Sequence, residues 1–240
     1  MARGSQRSGV LDVIALLAIL AAIAGPLLAW LRLVPALVGF YVMALGGLLS
    51  LLLAIGTVIG LVRGRRYGVA RMLGLLVALV FVIVAVRGAG GAPPINDFTT
   101  DLDDPPAFRK AAMLPPNVGR DMSYPAAFAE TQRACCADLR PLELAEPPAE
   151  ALLRAVHVAA RMPRWTVTQV DTEAGTIEAV EETRIFGFRD DIVIRVRPDG
   201  AGSIVDMRSK SRDGRSDLGA NAARIRAFLA ALQQSKASSQ

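Results

Sequence analysis

The residues best equipped for chemistry lie near the C-terminal end of the chain. Arg208, Lys210, Arg212 and Arg215 surround Ser209, Ser211 and Ser216 in a stretch that runs toward a helix. Read as a loop opening that helix, the stretch offers free backbone N–H groups, a favourable dipole and fixed positive charge, which together can hold an anion. Asp217, Asn221 and Arg224 follow at i, i+4 and i+7, along one helix face. The candidate ligand-binding residues are therefore Arg208, Ser209, Ser211, Arg212, Asn221 and Arg224. The pattern is not a P-loop, because Gly-x-x-x-x-Gly-Lys is absent. Asp190 and Asp191 form a second group. Paired acids can hold a cation or act in general acid/base work. With Asp217 they can equally pair with Arg208, Arg212 and Arg224 in a purely structural network.

Other chemistries are poorly supplied. His157 is the one histidine, so neither a Ser-His-Asp triad nor a multi-histidine metal site can be built. Cys135 and Cys136 are adjacent, and no C-x-x-C pattern is present. A bridge between neighbours demands unusual geometry, so two small unpaired residues are expected. No cofactor or metal is implied. These residues favour a binding module over an enzyme, with a hydrolase or transferase using Asp190 or Asp191 as the alternative.

The elements that carry these residues divide the chain in two. Of its 240 residues 52% are apolar, and mean hydropathy is +0.39, too high for an ordinary soluble protein. The apolar residues gather before residue 87. Runs at about 9–31, 34–62 and 68–90 are long enough to cross a hydrocarbon layer of about 30 Å. The last is the shortest uncharged run, 72–86 between Arg71 and Arg87, and arginines at its ends can snorkel. Asp12 reads as an interfacial carboxylate at a helix start. Gly56 and Gly60 form a Gly-x-x-x-Gly pair that can bring helices close.

Charge follows the same division. Residues 1–91 hold eight Arg and one acid, for +7, and residues 92–240 sum to −2. The basic excess therefore flanks membrane helices, where lipid headgroups are the partner, and gives no reason to invoke nucleic acid. Arg3 and Arg7 precede the first run, Arg32 alone follows it, and Arg63, Arg65, Arg66 and Arg71 separate the second from the third. The positive-inside rule then predicts an inner (plasma) membrane protein with a cytoplasmic N-terminus and a periplasmic C-terminal domain.

Within the soluble part, residues 92–147 are proline-rich. Ten of the chain's 14 prolines lie between Pro93 and Pro148. An extended segment with little regular structure, packed on the next domain, is expected. Residues 148–233 read as helix 148–162, strands 164–170, 175–182, 191–197 and 202–208, and helix 216–233. The expected fold class is membrane-anchored α+β: three transmembrane helices, then an α-β-β-β-β-α domain with an antiparallel sheet and helices on one face. Residues 234–240 read as a disordered tail.

Four stretches together resemble the domain-of-unknown-function family 1499: residues 93–108, the segment from Tyr124-Pro125 to Pro141-Leu142, FGFRDDIVIRV at 186–196 and MRSKSRDGRSDLGANAARIRAF at 207–228. The membrane helices lie outside the resemblance. The family pattern has an aromatic residue and a proline around Cys136-Ala137, where this chain departs from it. The resemblance implies a domain boundary near residue 92 and brings no activity with it. Function is left as an extracytoplasmic domain that binds an anionic small molecule or a membrane protein partner near the membrane surface. A structural or assembly subunit of a membrane complex is the other non-enzymatic reading.

Overall fold

The structure, a computed structural model, describes residues 2–88 and 92–235, with side chains for 9–87 and 92–235. It forms two compact units, residues 1–90 with 184–187, and 91–183 with 188–240.

The first unit is built on helices α1 (Ala2–Trp30), α2 (Ala36–Val62) and α3 (Val69–Gly88). Gly9–Trp30, Ala36–Val62 and Val69–Arg87 are each long and apolar enough to cross a membrane. The expected third span reaches 90, and its last residues, like the side chains of Arg3 and Arg7, lie outside the described set. All three helices pack on one another. The closest approach does not use Gly56, where an added Cβ would meet nothing within 4 Å. It uses Gly46, where a Cβ would overlap the backbone of Ala18 and Ala22, and Gly25, where it would overlap that of Gly39 and Met43. Small residues let α1 and α2 touch backbone to backbone, which is how helices gain packing energy in lipid.

One expectation about this unit needs correcting. Arg71, expected with the arginines between the second and third runs, belongs to α3. Arg71 lies inside α3 with its side chain 6% exposed, and its Nε donates to Asp12 Oδ1 at 2.9 Å. Its guanidinium also sits 4.8 Å from the Tyr67 ring centroid. The buried guanidinium of Arg71 thus takes a carboxylate of a neighbouring helix as its partner.

The second unit is an α+β domain with an antiparallel sheet. Its main strands are β3 (Trp165–Asp171), β4 (Thr176–Glu182), β5 (Arg189–Asp199) and β6 (Gly202–Ser211). Two short strands, β1 (Asp97–Thr99) and β2 (Leu142–Leu144), both pair with β6, giving six strands in all. Helices α6 (Pro148–Arg161) and α7 (Ala220–Ser235) cover one face. Their buried Ala151, Leu152, Ala155, Ile225, Phe228 and Leu232 meet Ile177, Ile192, Ile194, Val205 and Met207 of the sheet. Trp165 stacks on Phe228 at 5.6 Å. Arg154 joins the helices by donating to Leu232 O at 2.6 Å. The expected tail begins too early, since α7 runs to Ser235, and residues 236–240 lie outside the described set.

The proline-rich segment is more ordered than its composition suggests. It contains β1 and β2, the short helix α4 (Lys110–Met113), a 3-10 turn (Pro115–Asn117) and helix α5 (Ala126–Cys135). Proline forbids helix interiors but suits helix starts. Pro125 caps α5, Pro147 and Pro148 start α6, and Pro115 and Pro116 make the 3-10 turn. Cys135 and Cys136 are also not free thiols: at the C-terminal end of α5 they are disulfide-bonded to each other.

Candidate functional site

The placement of the candidate site depends on where β6 ends. The strand continues to Ser211, so Arg208–Ser211 belong to it and do not form a loop. Successive strand residues face opposite sides of a sheet. Ser209 and Ser211 therefore face α7, whereas Arg208, Lys210 and Arg212 face the other side with Asp97, Phe108, Asn117 and Tyr124. The six sequence candidates fall into two groups separated by the sheet.

On the helical face, Arg224 of α7 is the centre. Its Nη2 donates to Asp190 Oδ2 at 2.6 Å and its Nη1 to Ser209 Oγ at 2.9 Å, and it also bonds Glu181 and Asn221. Asn221 in turn bonds Ser209 and Ser211. Arg164 adds a second cation on Glu181 at 2.7 Å. Burial pushes the Glu181 carboxyl up, but Arg224 and Arg164 outweigh it and hold the group below its ordinary value. For Asp190 burial wins over Arg224, and the carboxyl is raised. Asp217 caps α7, its Oδ2 accepting from the Asn221 N–H at 2.6 Å. Glu181 and Asp190 face the guanidiniums of Arg224 and Arg164 here, and the hydroxyl and amide groups bond each other.

On the opposite face the sheet carries another set of ions. Asp191 holds Arg212 through Nε and Nη2, with Oδ2 accepting from Asn117 at 2.8 Å. Glu178 accepts three backbone N–H bonds, from Arg109, Lys110 and Ala111, and so fixes the first turn of α4. Asp97, fully buried, takes Arg208 Nε at 2.9 Å and Nη2 at 2.8 Å, and Lys210 Nζ at 3.0 Å. At Asp97 two cations, Arg208 and Lys210, share one buried carboxylate, with the exposed Asp121 facing both, while Asp191 pairs with Arg212 and Glu178 is held by backbone N–H groups.

Arg208 is the pivot of this second group. It is 1% exposed, and its guanidinium lies 4.8 Å from the Phe108 centroid and 5.6 Å from that of Tyr124. Nη2 also donates to Met122 O at 2.9 Å, and Nη1 makes a single long bond to Pro106 O at 3.3 Å. Four of its five N–H groups thus have partners among the described residues. It borders an open cavity of about 420 Å³. Tyr124 donates its hydroxyl to Gln132 Oε1 at 3.0 Å, and burial together with Asp97 raises the phenol well above its usual value. Gln132 in turn bonds the Thr99 N–H and C=O.

Of the sequence candidates, Arg208 alone borders this cavity. Asp97, Phe108 and Tyr124 are not among the sequence candidates, because all three come from the proline-rich segment, whose composition suggests little structure. Asp190 and Asp191 point to opposite faces and each has a guanidinium partner, so they do not form a paired acid. Among the described residues no group of three or more His, Cys, Asp or Glu side chains could hold a metal ion.

Fold and site together define a protein with three membrane-capable helices followed by an antiparallel α+β domain with buried ion networks on both sheet faces. The family model described as "Protein of unknown function (DUF1499)" matches residues 97–232. That is more than half of the chain, and the chain belongs to this family. No curated protein matches it.

Proposed function

We propose that this is an integral protein of the inner (plasma) membrane, with a cytoplasmic N-terminus and a periplasmic α+β domain that binds an anionic ligand or the anionic group of a protein partner near the membrane surface. The observation that carries the reading is that Arg208, which lines the cavity, and Lys210 share the single buried carboxylate of Asp97. A buried charge without a counter-charge is costly, and an incoming anion removes that cost. This moves the proposed binding group from the six sequence candidates to Arg208 with Lys210 and Asp97. Ser209, Ser211, Asn221 and Arg224 are assigned to holding α7 on the sheet. The orientation is supported by Arg63, Arg65 and Arg66 between α2 and α3, against Arg32 alone between α1 and α2.

Native mass spectrometry of the full chain, released from membranes in mild detergent, tests the reading. A reproducible bound anionic mass that is lost in Lys210→Met supports it. A clean unliganded mass together with a stoichiometric protein partner favours the assembly-subunit reading. Exposed Met113 and Val118, 66% and 67% accessible on one short segment, suit such a partner.

A further inference from the structure

The cavity beside Arg208 is apolar on most of its wall. Pro105, Ala107, Phe108, Met122 and Tyr124 line it with Ser123, and Arg208 is its one charged lining residue. Its volume of about 420 Å³ falls in the range of small-molecule sites. The π faces of Phe108 and Tyr124 are turned to the guanidinium, which leaves ring edges and the Met122 thioether as contacts for an apolar body. Nη1 of Arg208 has one hydrogen without a partner among the described residues, and Lys210 Nζ makes one bond only.

We propose that the cavity binds a small amphiphilic carboxylate, its charged end on Arg208 Nη1 and its apolar body, of about the size of a benzene ring, against Phe108, Met122 and Tyr124. This rests on the anion-binding reading and adds the ligand class. A carboxylate there offsets the two cations that share Asp97, while the apolar wall gains contacts that inorganic phosphate or acetate cannot give. Asp121 is the opposing charge. Its carboxylate is held below its usual range by the Ser123 hydroxyl and amide, but it is exposed and screened by water.

Three probes separate charge from shape: 4-fluorophenylacetate, fluoroacetate and 4-fluorobenzyl alcohol, titrated by ¹⁹F NMR into the full chain in nanodiscs, with protein-free nanodiscs as the partition control. The expected result is that the arylacetate binds at least tenfold tighter than either half-probe. Ala107→Trp, which fills the mouth from an exposed position and touches no ion pair, abolishes the binding. Lys210→Met weakens it at least tenfold. If fluoroacetate binds as tightly as the arylacetate, the ligand class is wrong and anion binding survives. If neither anion binds, both fail. Equal binding of the alcohol, or arylacetate binding that Ala107→Trp leaves intact, removes this cavity as the site.

Discussion

At the residue scale, the arrangement follows from strand alternation. Arg208-Ser-Lys-Ser-Arg212 alternates cation and hydroxyl with period two, and this was legible in the sequence as a strand with two different faces. Its polar composition and the following glycine suggested a loop instead, and so two groups on opposite faces looked like one site. The arginine–carboxylate pairing was foreseeable in kind, but the actual partner of Arg208, Asp97, is 111 positions away and no local pattern reveals it. The helical-face network has a measurable pH signature. Glu181 is depressed below its ordinary 4.5, so its stabilisation is complete above that pH and is lost as pH falls through the lower folded value. Asp190, raised above 3.8, acts with the opposite sign, contributing stability as pH falls through its folded value. Glu181→Gln is therefore expected to destabilise the domain by about 1–3 kcal/mol at pH 7 and to flatten the loss of stability below pH about 4.5. Denaturant titrations of both proteins across the acid range check this. An unchanged acid limb would show that Glu181 is not the responding group.

At the element scale, the long periodic pieces were readable and the short ones were not. The three apolar helices, α6, α7 and strands β3 to β6 carry their own periodicity. Strands β1 and β2 are three residues each, too short for alternation to show, and exist because β6 offers them an edge. The prolines of residues 92–147 suggest an extended segment, whereas Pro125 marks where α5 begins; the start of α6 at Pro148 was legible. In the membrane unit, the Asp12–Arg71 bond ties α1 to α3. Asp12→Leu leaves the Arg71 guanidinium buried without its carboxylate and is expected to cost about 1–3 kcal/mol. The double variant Asp12→Leu/Arg71→Leu recovers most of that, because both charges leave together. Steric-trap or SDS-unfolding measurements on the single and double variants decide the point. A double variant as unstable as the sum of the singles would mean the two residues do not act as a pair.

At the scale of the whole molecule, the chain joins a membrane anchor to a domain whose two sheet faces do different work. On the helical face Arg224 bonds Asp190, Glu181, Ser209 and Asn221, which suits holding α7 in place. On the opposite face Arg208 and Lys210 share the one buried carboxylate of Asp97, and Arg208 borders an open cavity. Binding sites commonly sacrifice some stability in this way. The claim therefore predicts a specific outcome for Lys210→Met, a change that keeps the buried aliphatic stem and removes the second cation on Asp97. The direct measurement is the melting temperature of the soluble domain in the ligand-free full chain, followed by near-UV circular dichroism. The account predicts that Lys210→Met melts at the same temperature as the parent or above it. A fall of about 5 °C or more would show that Lys210 holds the fold, and the second cation on Asp97 would then be structural.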